Sequence, residues 1–75
     1  MFDKNISGQR LRDLRLSKKL SLKDVADAIG TSKSTLGNIE REVKPASLDM
    51  TIKLADFLDC SVDYLVGRSN DPVRH

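Results

Sequence analysis

The sequence predicts an all-α fold, a compact domain built from five short helices. The 75-residue length suits a single domain. Apolar residues recur along most of the chain at the three- and four-residue spacing that is typical of helices packed on a core. A serine precedes every predicted helix, and glycine or proline follows several of them. A domain this small buries only ~60% of the surface of its unfolded chain, which favours a compact helical arrangement.

The first two predicted helices are set by their capping residues. The first helix is expected to begin directly after Ser7. The second begins after Ser21, whose hydroxyl can accept a backbone N–H group, and Asp24 stands at the third helical position as the acidic partner of a capping box. Gly30 is expected to end this helix, because glycine adopts a left-handed conformation at low cost.

The third predicted helix follows almost at once. Only Thr31 separates Gly30 from Ser32, which is a good N-cap for a helix at residues 33–41. Two short helices joined by a glycine-containing turn cross steeply, which defines a helix-turn-helix unit. In that unit the second helix projects from the body and lies in the major groove of DNA. The polar sequence of helix 33–41 fits such a role.

The last two helices complete the predicted core. Ser47 is expected to cap a fourth helix at residues 48–58, and Ser61 a short fifth helix that ends at Gly67. The apolar face of the fourth helix is expected to consist of Leu48, Ile52, Ala55 and Leu58, with Phe57 or Leu54. In the fifth helix, Val62 and Leu65 are expected to point inward.

Composition excludes several classes of function. No apolar run approaches 18 residues, and the first residues do not resemble a secretion signal, so a cytoplasmic protein is expected. The single cysteine, Cys60, and the single histidine, His75, do not support a metal cluster, and we expect no cofactor. Cys60 is open to two interpretations, a redox switch or a small core residue. No catalytic constellation is present, so an enzyme is not expected.

Charge is unevenly distributed along the chain. Residues 1–44 hold ten Lys or Arg and six Asp or Glu, whereas residues 45–75 hold three and five, giving net charges of +4 and −2. A basic half indicates a polyanionic partner on one face of the molecule.

The ordered set of motifs resembles the Cro and phage-repressor (XRE-type) helix-turn-helix family. The resemblance rests on "RLRDLRLSKKLSLKDVADAIGTSKSTLGNIER" and, after Pro45 and Ser47, on "IKLADFLDCSVDYLVG". It implies a five-helix, lambda-repressor-like DNA-binding domain. The implied organisation is an N-terminal arm at 1–6, the helix-turn-helix domain at 7–67, and a tail or linker at 68–75.

The same resemblance implies which residues contact DNA. The expected base contacts are Lys33, Ser34, Gly37 and Asn38. The expected phosphate contacts are Ser21, Ser32, Thr35, Arg41, Lys44 and Ser47. Lys33 can donate to guanine and Asn38 can pair with adenine, while Gly37 would allow close approach of DNA. Simpler roles remain open: the face could be merely exposed and polar, and the serines merely N-caps. Arg15 and Glu40 match a structural ion pair of the family.

Two positions depart from the family pattern. Leu22 stands where family members commonly have a glutamine that braces against phosphate, and leucine cannot donate a hydrogen bond. Glu42 stands where a glycine is usual, so the third helix is expected to run longer if a left-handed residue is avoided. Tyr64 and Val66 are expected either to form an exposed dimer patch or to belong to the core.

These features together predict a sequence-specific DNA-binding transcriptional regulator. It is expected to be a repressor that binds a palindromic operator as a homodimer, with helix 33–41 in the major groove. The expected setting is the cytoplasm of a bacterium, with the gene bacterial or phage-borne and the protein associated with the nucleoid. The alternative is an antitoxin-like or antirepressor-bound protein-interaction module of the same fold, and a regulatory protein partner is considered in either case.

Overall fold

The computed structural model describes residues 6–67, and within that range it contains five helices and no β-strand. The helices are α1 (Gly8–Ser17), α2 (Leu22–Ile29), α3 (Lys33–Glu40), α4 (Leu48–Leu58) and α5 (Val62–Leu65). The predicted all-α, five-helix fold is therefore confirmed. Among the described residues, no helix has the length and apolar character needed to cross a membrane.

The structure describes little of the two terminal segments predicted from the sequence. The tail predicted at 68–75, with His75, lies outside the described residues, as does most of the arm predicted at 1–6. Ile6 is described and is buried in the hydrophobic core. This residue therefore packs with the helical body rather than extending from it.

Serine side chains fix the start of every helix. In each case the serine before the first turn accepts a hydrogen bond from the backbone N–H three residues later. At α2 the capping box is complete, because Ser21 N donates to Asp24 Oδ2 and Asp24 N donates to Ser21 Oγ, both at 3.0 Å. The hydrogen bonds from the backbone and hydroxyl of Ser21 lower the pKa of the Asp24 carboxyl. The first residue of each helix is thus determined by a capping serine and the residues of the following turn.

The end of α3 corrects one expectation. The helix does not run longer; it ends at Glu40, Arg41 is its C-cap, and Glu42 adopts a left-handed φ of 58°. Glu42 N donates to Ile39 O at 3.0 Å and Val43 N donates to Asn38 O at 2.9 Å. This is the hydrogen-bond pattern of a Schellman motif, which requires a left-handed residue and closes the last carbonyls of the helix.

The rotation of α4 corrects a second expectation. Thr51, Leu54, Ala55 and Leu58 are its buried residues. Leu48 is 72% exposed and Ile52 is 44% exposed, so the predicted inward positions of these two residues are wrong. Apolar residues occupy most of the circumference of this helix, so the sequence pattern leaves its rotation undetermined. Packing against α2 and α5 sets the face that is buried.

The core is mainly aliphatic. The largest fully buried side chains are Leu11, Val25, Leu36, Leu54, Leu58, Cys60 and Leu65. Cys60 thus occupies a core position, with 1% of its surface exposed. In the short α5, Leu65 is fully buried whereas Val62 is only partly buried. One contiguous cluster therefore joins all five helices.

Candidate nucleic-acid interface

The α2–turn–α3 unit has the geometry of a helix-turn-helix. Gly30 ends α2 with a left-handed φ of 78°, and Thr31 N donates to Ala26 O at 2.9 Å. Ser32 then caps α3 through a 3.0 Å hydrogen bond from Thr35 N. The turn is therefore three residues long, and the inner residues of both helices enter the same core. This arrangement leaves one side of α3 turned away from the body.

The outward face of α3 is open at its N-terminal end. Lys33 and Ser34 are exposed, Asn38 is half-buried, and Gly37 is buried. The inward face is filled by Leu36 and Ile39, which are almost fully buried. Three of the four predicted base-contact residues are thus accessible to some extent, and the fourth, Gly37, lies beneath other side chains.

Arg41 and Leu22 cover Gly37. A Cβ atom placed on Gly37 would lie 3.4 Å from Arg41 Nη1 and 3.8 Å from Leu22 Cδ1, which are ordinary van der Waals distances. The Arg41 side chain therefore runs back along α3 toward its N-terminus, as long helical side chains do. Its Nη2 donates to Asn38 Oδ1 at 2.6 Å. Leu22, at the family's usual glutamine position, thus makes an apolar contact beside Gly37.

The predicted phosphate contacts are mostly hydroxyls and cations at the surface. Ser21, Ser32 and Ser47 are exposed, and each caps a helix, so the simpler role expected of Ser21 and Ser32 is present. Ser32 Oγ also donates a hydrogen bond to Thr35 Oγ1 at 2.8 Å. The Ser32 hydroxyl proton is therefore used within the protein, whereas the Thr35 hydroxyl can still donate to a ligand. Arg41 and Lys44 are exposed.

A buried ion pair fixes α3 on α1. Arg15 Nε lies 2.6 Å from Glu40 Oε2, and Arg15 Nη2 donates to Glu40 Oε1 at 3.1 Å. A further Arg15 N–H donates to Leu20 O at 3.0 Å. The hydrogen bond to Glu40 raises the pKa of the Arg15 guanidinium. This bidentate contact holds the C-terminal end of α3 and leaves its N-terminal end unobstructed.

A second contact between α1 and α3 was not anticipated from the sequence. A Cβ atom on Gly8 would lie 1.9 Å from Glu40 O, so only glycine fits where the start of α1 meets the end of α3. The Glu42 carboxylate accepts a hydrogen bond from Gly8 N at 3.3 Å. A carboxylate at a helix N-terminus is favourable because the N–H groups there are otherwise unpaired.

The cations near α3 differ from those on α2 and α4 in whether they form ion pairs. Lys23 pairs with Asp27 on α2, and Lys53 pairs with Asp49 on α4. Among residues 6–67, the cations of the α3 region, Lys33, Arg41 and Lys44, form no ion pair. Their charge is therefore available to an anionic ligand.

Tyr64 and Val66 do not form an exposed pair. Val66 is buried, with 9% of its surface exposed, which agrees with the core alternative for this residue and not with the exposed patch. Tyr64 is partly buried, and its ring lies 4.5 Å from the Arg10 guanidinium carbon in a cation–π contact. Arg10 Nη1 also donates to Tyr64 O at 3.0 Å. These two contacts join α1 to α5.

Comparison with known proteins agrees with this geometry. The sequence model of the helix-turn-helix family matches residues 11–65, and the chain belongs to that family. It is 45% identical over 64 residues to YobD of Bacillus subtilis, an uncharacterized HTH-type transcriptional regulator. That match covers 85% of this chain and 57% of YobD. The chain spans about half the length of the curated relatives it matches.

Two proteins whose structures were solved in complex with DNA share the fold. SinR, the master regulator for biofilm formation, was solved in complex with DNA; it is 37% identical, with a TM-score of 0.74 over 79% of this chain and 95% of that one. SinR was also solved in complex with SinI. The phage P22 c2 repressor, solved with a synthetic operator, is 26% identical, with a TM-score of 0.79 over 83% and 94% of the two chains. The lambda-repressor-like architecture is thereby confirmed.

Proposed function

We propose that this chain is the DNA-binding domain of a transcriptional regulator that inserts α3 into the major groove. The observation that carries the proposal is the outward face of α3, where exposed Lys33 and Ser34 lie beside cations that form no ion pair with any residue from 6 to 67. Its relatives are non-enzymatic transcriptional regulators, and two similar proteins were solved on DNA.

The size of α3 suits the groove. With its side chains, an α-helix such as α3 is about 10–12 Å across. The major groove is about 12 Å wide and admits an α-helix. With Glu40 held by Arg15, the free N-terminal half of α3 carries Lys33, Ser34 and Asn38, which we propose as base contacts. Gly37 belongs to the same surface, and we place it beneath Arg41 rather than against a base.

Phosphate contacts would position the domain on the duplex. We propose this role for Lys44 and for the helix N-termini and hydroxyls near α3 and α4, where unpaired N–H groups favour an anion. The N-cap residues concerned are Ser21, Ser32 and Ser47. A further hydroxyl is that of Thr35, in the first turn of α3. Contacts of this kind carry no sequence information and make binding strongly dependent on salt.

We further propose that a homodimer represses transcription by occupying a palindromic operator. Each copy would insert one α3, with half-site centres about 34 Å apart, one turn of the duplex. The cytoplasm, together with the bacterial nucleoid, is the corresponding location. The alternative of a purely protein-interaction module is not favoured, because the relatives are transcriptional regulators. A regulatory protein partner in addition to DNA is supported by the complex of SinR with SinI.

Selection of bound sites from random duplexes, read by sequencing, tests this function. The wild-type chain is expected to enrich two related half-sites. Lys33→Ala is expected to relax the preference at one base position by ~1–3 kcal/mol and to leave the other positions unchanged. Lys53→Ala is the matched control, since it removes the same charge from α4, where Lys53 already pairs with Asp49. Absence of any enriched sequence would reject the proposed function.

A further inference from the structure

We propose that Arg41 reads the edge of a guanine in the major groove, held over α3 by Asn38, so that this surface selects guanine over adenine. The inference rests on the proposed function and assigns Arg41 a role different from the phosphate contact expected from the family. It concerns one step of recognition, the choice of base at the position facing Arg41.

The position of the guanidinium is the first observation. Arg41 is the C-cap of α3, yet its side chain returns over Gly37 to the middle of the helix, where Nη1 lies 3.4 Å from the place of a Cβ atom. No side chain of residue 37 lies between the helix backbone and the planar group. Residues 34, 38 and 41 lie on one stripe of α3, since they are separated by four and three residues. The charged group therefore lies on the face that we propose enters the groove.

The second observation is the hydrogen bond that holds the guanidinium there. Arg41 Nη2 donates to Asn38 Oδ1 at 2.6 Å, and no other hydrogen bond of the Arg41 side chain is found within residues 6–67. The other N–H groups of the guanidinium remain available as donors. Asn38 Oδ1 already accepts one hydrogen bond, whereas its Nδ2 amide group is a donor. Together the two side chains present mainly donors to the groove.

A surface of donors distinguishes the two purines. Guanine exposes two acceptors in the major groove, N7 and O6, whereas adenine exposes the acceptor N7 and the donor N6 amino group. A guanidinium fork can donate to both guanine atoms, but it meets a donor at one of the two adenine atoms. Asn38 Oδ1 keeps a second lone pair beside the bond from Arg41, so the preference between the two purines rests on the guanidinium fork. The arrangement therefore favours guanine.

Base analogues in the selected duplex test the inference. Binding is measured by fluorescence anisotropy to duplexes in which each conserved guanine is replaced singly by 7-deazaguanine, which lacks N7, or by inosine, which keeps N7 and O6. At one position per half-site, the wild-type chain is expected to lose about 5- to 150-fold in affinity with 7-deazaguanine. Inosine at that position is expected to change affinity less than about twofold, because only the minor-groove amino group is removed.

Five variants connect the effect to Arg41. Arg41→Ala is expected to lose the discrimination against 7-deazaguanine and against a guanine-to-adenine change. Arg41→Lys, which can donate to guanine but has no planar fork, and Asn38→Ala are expected to weaken it at the same base. Lys44→Ala is the matched control: as a phosphate contact, it should weaken binding to all duplexes and keep the discrimination. Gly37→Ala should also keep it, because a Cβ atom there makes only ordinary contacts.

The possible results distinguish failure of the proposed role of Arg41 from failure of the proposed DNA-binding function. If Arg41→Ala weakens all duplexes equally and keeps the response to 7-deazaguanine, Arg41 contacts phosphate and the inference is overturned. A selected site without a conserved guanine would overturn it in the same way, with DNA binding intact. No saturable binding of the wild-type chain to any duplex would instead remove the proposed function itself. Because Arg41 is exposed, its variants are expected to melt like the wild-type chain.

Discussion

Arg15 and Glu40 show how single residues can orient a helix. Their side chains are 10% and 8% exposed, and their bidentate contact joins α1 to the end of α3. Removing one partner of a buried pair leaves the other charge without compensation, which costs more than the pair itself contributes. Because an arginine stays charged at all ordinary pH values, Arg15 cannot relieve that cost by losing its proton.

We therefore expect Glu40→Ala to destabilise the domain by ~3 kcal/mol, whereas exposed Lys33→Ala changes stability by less than ~0.5 kcal/mol. In a domain of this size the first change corresponds to a fall in Tm of more than about 10 °C. Thermal unfolding followed by circular dichroism measures both variants. Equal, small shifts for the two would mean that the ion pair does not hold α3.

At the scale of single elements, the end of α3 combines strain with compensation. Glu42 adopts a left-handed φ of 58°, a conformation that costs a non-glycine residue about 1–2 kcal/mol. Its carboxylate accepts the 3.3 Å hydrogen bond from Gly8 N at the start of α1, which returns about 0.3–1 kcal/mol. The conformational cost is the larger of the two.

Glu42→Gly is accordingly expected to stabilise the domain by ~0.5–1 kcal/mol, because glycine adopts the left-handed conformation without strain. Glu42→Ala is the control: it keeps the strain and loses the carboxylate, so its Tm should fall. Urea unfolding gives both free energies. A less stable Glu42→Gly variant would show that the contact with Gly8 outweighs the strain.

Local signals and tertiary contacts differ in how far they could be predicted. The caps at Ser21, Ser32 and Ser47 were readable because a cap depends only on residues within one turn. The rotation of α4 was not, since its leucines and isoleucine surround the helix and its partners decide which are buried. The fit of Gly8 against Glu40 O depends on the approach of two helices distant in sequence, which no spacing rule contains.

In the candidate site, too, some features could be predicted from neighbouring residues and others depend on side-chain contacts. Exposure of Lys33 and Ser34 could be predicted, because the polar face of a helix with one apolar seam faces solvent. The return of Arg41 over Gly37 could not, because it depends on a side-chain rotamer and on the hydrogen bond to Asn38.

At the scale of the whole molecule, the five helices form a support for one protruding element. The core joins all of them, while α3 contributes mainly two large apolar side chains to it, Leu36 and Ile39. Cations on α2 and α4 pair with carboxylates of their own helices, whereas Lys33, Arg41 and Lys44 form no ion pair in the described part of the chain. A duplex approaching α3 would therefore meet positive charge that no ion pair within residues 6–67 neutralises.

Titration of the 15N-labelled chain with its selected duplex, followed by NMR at physiological salt, tests the central claim most directly. The account predicts that the largest amide shift changes fall on Lys33 to Asn38 and on Arg41, with little change in the depression between α2 and α4 at Asp27, Lys53 and Phe57. Largest changes at Asp27, Lys53 and Phe57, with α3 unaffected, would contradict it.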